Sequence, residues 1–250
     1  MRLRHCLVGA VLGLYPLVGA GMAWAQLDPR LVPAFSIWDV KIGEPASLIP
    51  DTEVVDIACG TNGGPPSQFI AGFASFAQCP AEPSGLHEVY FANDDEMDYV
   101  ARALESEYEV FRGGTSIYAH PVIISVLIDA EGIVRGIRVV TDERASLRER
   151  RVAVTLGRNL RERFGRWNLE CEDIPLQPGE NPVGKQFEHQ ICNGHEDALG
   201  QAVRIESSYL RKKGQEALNR ETQQINSGYF QSQTRLEVVE APYVPAKPPA

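Results

Sequence analysis

The run Val122-Ile123-Ile124-Ser125-Val126-Leu127-Ile128 constrains the fold more than any other stretch of the chain. It is apolar at odd and even positions alike. As a strand it therefore needs cover on both faces, which an interior place in a sheet supplies. Asp129-Ala130-Glu131-Gly132 follows, its glycine suited to a left-handed turn position, and Val134, Ile137, Val139 and Val140 carry the chain back. An antiparallel hairpin is thus predicted at the centre of the fold.

The period of two recurs on either side. Glu53 to Ala58 and Leu86 to Phe91 read as strands. Phe187, His189 and Ile191 alternate with polar residues, as do Val203, Ile205 and Tyr209, and again Phe230, Ser232, Thr234, Leu236 and Val238. Each of these last three is expected to lay one face on a core. Polar Lys212 to Ser227 joins the final pair. Helices come singly. Asn93-Asp94-Asp95-Glu96 opens a short one ending near Glu107, with Asn93 as N-cap and an acid three residues on. From Asp142 to Phe164, residues Ala145, Val152, Ala153, Leu156, Leu160 and Phe164 share a stripe roughly 120° wide, predicting a long amphipathic helix laid on the sheet. The predicted class is α+β: mainly antiparallel sheet, with one long amphipathic helix and one shorter helix packed on it. Residues 172–186 are rich in Pro and Gly and form a connector, where the body over 26–240 divides if it holds two subdomains. Residues 241–250 contain four prolines and are expected to be a disordered tail.

The first 25 residues set the compartment. Arg2 and Arg4 precede an apolar run from Leu7 to Trp24, and Ala23-Trp24-Ala25 ends it with the small-x-small pattern of signal-peptide cleavage. The run is interrupted by Gly13 and Pro16 and falls short of the roughly 20 residues of a membrane-spanning helix. The mature chain is expected to begin at Gln26, in the periplasm or outside the cell, with no transmembrane segment left. Cleavage removes Cys6 and leaves Cys59, Cys79, Cys171 and Cys192, an even number in an oxidising space, hence two disulfides. Four cysteines allow three pairings. Cys59–Cys79 and Cys171–Cys192 are favoured because each closes a short local loop of about 20 residues, contributing roughly 3 kcal/mol in the chain-entropy model. The mature balance of 22 basic against 33 acidic residues argues against a nucleic-acid partner.

Catalytic spacing is missing. There is no Gly-x-Ser-x-Gly elbow, the four mature cysteines are expected to pair, and His87, His120, His189 and His195 have no third group fixed by spacing. Asp94, Asp95, Glu96 and Asp98 suit a first helical turn and fail the calcium-loop pattern. No catalytic residue, metal or cofactor is expected. Two surfaces are candidates for binding. The loop Cys59-Gly60-Thr61-Asn62-Gly63-Gly64-Pro65-Pro66-Ser67 excludes helix and strand, and the amides and side chains of Gly60, Thr61, Asn62 and Ser67 suit a carboxylate, a sugar hydroxyl or a partner chain. The competing explanation is tight packing beside a disulfide. The second surface is the long helix, where eight arginines between Arg144 and Arg166, among them Arg151, Arg158 and Arg161, face only Glu143, Glu149 and Glu162. Guanidinium groups there suit an acidic protein or an anionic envelope surface. The expected function is an exported, non-catalytic binding protein of the cell envelope. The alternative is a hydrolase acting on cell-wall or sugar substrates through two carboxylates roughly 5–9 Å apart. A third option, a small-ligand carrier, requires a mostly apolar pocket.

Overall fold

A computed structural model describes residues 35–92, 115–118, 120–144, 153–212, 217–218, 225–226 and 230–241. The signal segment, the short helix expected from Asn93, residues 145–152 with Arg151, and the tail beyond Ala241 lie outside the described residues. Asp142, Glu143 and Arg144, where the sequence predicts the start of the long helix, instead form a turn after the strand that ends at Thr141.

Three 3-10 turns (Ile37–Asp39, Ala46–Leu48, Asp51–Glu53) lead into β1 (Val55–Cys59). After another such turn (Phe73–Gln78) come β2 (His87–Ala92), β3 (Thr115–Ile117), β4 (His120–Ile128) and β5 (Val134–Thr141). Helix α1 (Ala153–Arg163) precedes β6 (Glu170–Asp173), β7 (Glu180–Asn181), β8 (Glu188–Glu196) and β9 (Gln201–Lys212). The small hairpin β10 (Ala217–Leu218) and β11 (Ile225–Asn226) interrupts the link to β12 (Gln231–Glu240). Ten strands form one sheet in the order β1-β2-β4-β5-β12-β9-β8-β6, with β3 beside β4 and β7 beside β9. Each pair is antiparallel. Strands from both sides of residues 172–186 belong to this sheet.

The class is therefore mainly β rather than α+β. Among the described residues α1 is the one α-helix, with 11 residues. The period-two pattern recurs along the chain, and among the described residues its strands join in a single sheet whose core face meets one helix and the N-terminal turns. The central hairpin stands as the sequence predicts. β4 is buried along its whole length between neighbours. In the turn, Asp129 Oδ1 accepts the Glu131 and Ile133 amides at 3.1 and 2.8 Å, and Gly132 takes φ +83°.

Register sorts the side chains into two faces. On one, Phe91, Ile124, Val139, Leu236, Ile205 and Cys192 stand in a single cross-strand row, and all are core residues. Leu156 and Leu160 of α1, with Phe164 just after its last turn, are buried on the side of the helix that meets β9 and β12, as the helical stripe requires. The last turn of α1 is pinned by Arg163 stacked 4.0 Å over Trp38. On the opposite face runs a polar row: Tyr90, Ser125, Arg138, Glu237, Arg204 and Asn193. β8 is turned over relative to its apolar alternation. His189 and Ile191 stand opposite Ser208 and Glu206 on the polar face, whereas Cys192 and Gly194 meet the core. The reason is local: Cys192 is cross-linked to its register partner Cys171, and any Cβ on Gly194 would lie 2.6 Å from the Trp167 carbonyl. Both cysteine pairs favoured by the sequence, Cys59–Cys79 and Cys171–Cys192, are at disulfide distance.

Candidate binding site

A charge inside an apolar strand has to be paired. Arg138 of β5 is fully buried, and three carboxylates surround it. Its Nε donates to Glu237 Oε1 at 2.7 Å, Nη1 and Nη2 donate to Glu82 at 2.6 and 3.1 Å, and Nη1 lies 3.0 Å from Glu88. Burial pulls the guanidinium pKa down. The hydrogen bond to Glu82 and the charges of Glu88 and Glu237 outweigh it, holding the group above its ordinary value. Glu237 also accepts Nε and Nη2 of Arg235 at 3.1 and 2.6 Å.

Glu88 carries this network into the glycine loop. Its carboxylate accepts the amides of Asn62 and of Gly63, the latter at 3.0 Å. Asn62 and Gly63 have φ of 61° and 80°, and the Gly64 amide donates to the Thr61 carbonyl, which makes a turn with two left-handed central residues. A Cβ on Gly60 would collide with the Glu88 side chain, and one on Gly63 with Val140. The glycines are thus required because the loop lies flat on the polar face. Its polar groups are largely spent within the protein. The Gly60 amide donates to the Glu88 carbonyl, Thr61 Oγ1 to the Pro65 carbonyl at 2.9 Å, and Ser67 Oγ to the Cys59 carbonyl at 3.2 Å. Arg235 clamps the tip from below, donating to the Asn62 carbonyl at 2.9 Å and to Asn62 Oδ1 at 2.5 Å.

What the loop offers outward is a wall. Thr61, Asn62, Gly63 and Gly64 bound a cavity of about 420 Å³ over the polar face. Its floor follows from register: Gln233, Ser208 and His189 stand side by side on β12, β9 and β8, next to the pair Arg235 and Glu206. Gln231 Nε2 donates to Ser208 Oγ at 3.1 Å. His189 Nε2 bonds Glu206 Oε1 at 3.1 Å, while its buried Nδ1 has no hydrogen-bond partner among the described residues. Glu143 and Glu180 stand at the rim. Glu143 follows Asp142, whose buried carboxylate accepts the Arg144 amide at 2.9 Å and so fixes the turn. Glu180 pairs in register with Lys212 across β7 and β9.

No match to this chain was found among protein-family models, curated proteins or solved structures. The chemistry of the site is therefore read from its geometry alone. Leu210 is the one large apolar side chain among the described lining residues, which is unlike the pocket of a hydrophobic-ligand carrier. Ser208, His189 and Glu206 share the floor without forming a nucleophile–base bond: His189 bonds Glu206, and Ser208 Oγ accepts from Gln231. Among the described residues no group of three or more His, Cys, Asp or Glu is arranged to hold a metal ion.

Of the residues singled out in the sequence, Thr61 and Asn62 line the cavity, while Gly60 and Ser67 serve the loop's own packing. Arg158 and Arg161 lie on α1 across the sheet from the cavity, and among the described residues neither has an ion-pair partner. The floor residues Ser208, Gln231, Gln233 and Arg235 escaped sequence reading. Their signal was present in the polar half of each alternating strand, and in the charges of Glu88 and Arg138 inside apolar runs.

Proposed function

We propose that the chain is an exported, non-catalytic binding protein of the cell envelope that takes a small hydrophilic ligand in the cavity beneath the glycine loop. One observation carries this reading. A cavity of about 420 Å³, within the roughly 300–1,000 Å³ range of ligand pockets, is floored by hydrogen-bonding side chains from three strands and walled by a loop braced from within. The two disulfides support an oxidising destination, one of them closing the segment that holds the loop. No helix among the described residues is long and apolar enough to cross a membrane. On the same reading, Arg158 and Arg161 serve a separate contact with an anionic protein or envelope surface.

The test is amide-detected NMR titration with a panel of sugars, amino acids, amines and organic acids, on the native chain and on Gln233→Trp, which fills the floor. Shifts confined to the cavity and lost in the filled variant support the reading. A panel that moves no cavity amide overturns it. The hydrolase alternative keeps one point in its favour, since Glu143, Glu180 and Glu206 share the cavity. Turnover of cell-wall glycans that disappears in Glu206→Gln, in a variant that still folds, would replace the binding reading with that one.

A further inference from the structure

We infer that the cavity selects its ligand through a protonated amine set among hydroxyl groups; this rests on the cavity being a ligand site. The argument is an inventory of donors and acceptors. Arg235 is a cation of the lining, but its guanidinium is spent on Glu237 and Asn62. Lys212 stands in register with Glu180. Gln231 donates one N–H to Ser208 at 3.1 Å and Gln233 one to Glu143 at 3.5 Å, each keeping a second N–H. Among the described residues, nothing donates to their side-chain carbonyl oxygens. His189 turns its Nε2 toward Glu206. Glu180 takes one backbone amide, from Gln177 at 3.1 Å, and Glu206 takes His189 and one Arg204 nitrogen at 3.3 Å. A carboxylate has about four acceptor positions, so capacity remains on each. Spare acceptor positions on two carboxylates and on both glutamine oxygens suit a ligand that brings N–H and O–H groups. Among the described lining residues, the three carboxylates Glu143, Glu180 and Glu206 outnumber the two cations Lys212 and Arg235, and Arg235 is paired with Glu237, so the excess negative charge favours that ligand as a cation.

Matched probes separate the charge from the shape. Glucosamine is compared with glucose, and 1,3-diaminopropan-2-ol with glycerol, by NMR titration at low ionic strength. Loss of a charge-assisted hydrogen bond is worth about tenfold in affinity or more, so each amine is expected to bind at least tenfold tighter than its hydroxyl counterpart. Glu143→Gln at the exposed rim and Glu180→Gln should each narrow that ratio, while circular dichroism confirms the fold. Amine and hydroxyl probes binding equally in the cavity would overturn the amine selection and leave the binding site standing. If neither these probes nor the wider panel moves any cavity amide, the site reading falls and this inference with it.

Discussion

Arg138 is the residue on which most of the polar face depends. Its guanidinium pairs with Glu82, Glu88 and Glu237 at once, and Glu88 in turn holds the amides that shape the glycine loop. Removing one partner of a buried ion pair strands the others. Arg138→Met is expected to cost about 3–5 kcal/mol, seen as a lower denaturant midpoint at unchanged slope. Arg204→Met at a half-exposed pair is expected to cost less than about 1 kcal/mol, and equal losses would refute the ranking. His120 gives the fold a pH dependence of its own. It is buried, Nε2 lies 2.8 Å from Thr155 Oγ1, and burial lowers its pKa below the ordinary value of 6.5. The unfolded chain takes up a proton near pH 6.5, and the folded chain only at lower pH. Stability therefore falls as pH drops below 6.5 toward the folded value, and this group has no effect above 6.5. His120→Gln should flatten that slope in urea titrations between pH 7 and 5. An unchanged slope would assign it to other groups.

Among the elements, α1 and the central hairpin were the most legible. The spacing of Leu156, Leu160 and Phe164 fixes the buried side of the helix before any partner is known, because 3.6 residues per turn return them to one face. The spacing does not reveal how closely the helix sits. Gly157 faces Ser207 and Thr234, and an added Cβ would collide with Ser207 Oγ and lie 3.2 Å from Thr234 Oγ1. Gly157→Ala, which stabilises an exposed helix by about 1 kcal/mol, is expected instead to destabilise this one by about 1–3 kcal/mol through overpacking. Adding Ser207→Gly should recover part of the loss in thermal melts. If Gly157→Ala raises the melting temperature, the close approach is not limiting. β8 marks the opposite case. Its apolar alternation pointed to one face, and the Cys171–Cys192 link with the tight seat of Gly194 chose the other.

At the scale of the molecule, the cavity is assembled from positions far apart in the chain. Asn62 meets Arg235 across 173 residues, and the floor needs β12 to lie between β5 and β9. Alternation, turn chemistry and cysteine spacing were enough to place the hairpin, the two-faced strands and both cysteine pairs, because each depends on neighbours within a few residues or on a short closed loop. The order β5-β12-β9-β8 depends on which apolar faces complete one core and which charges find partners on the reverse side. Those are contacts between distant segments, on which local periodicity is silent. The sequence by itself therefore determined strand character, turns and covalent closures. The tertiary structure alone decided that Gln231, Gln233, Ser208, His189 and the loop tip share one space, since a side chain's cross-strand neighbour is set by sheet register and not by its own residue type.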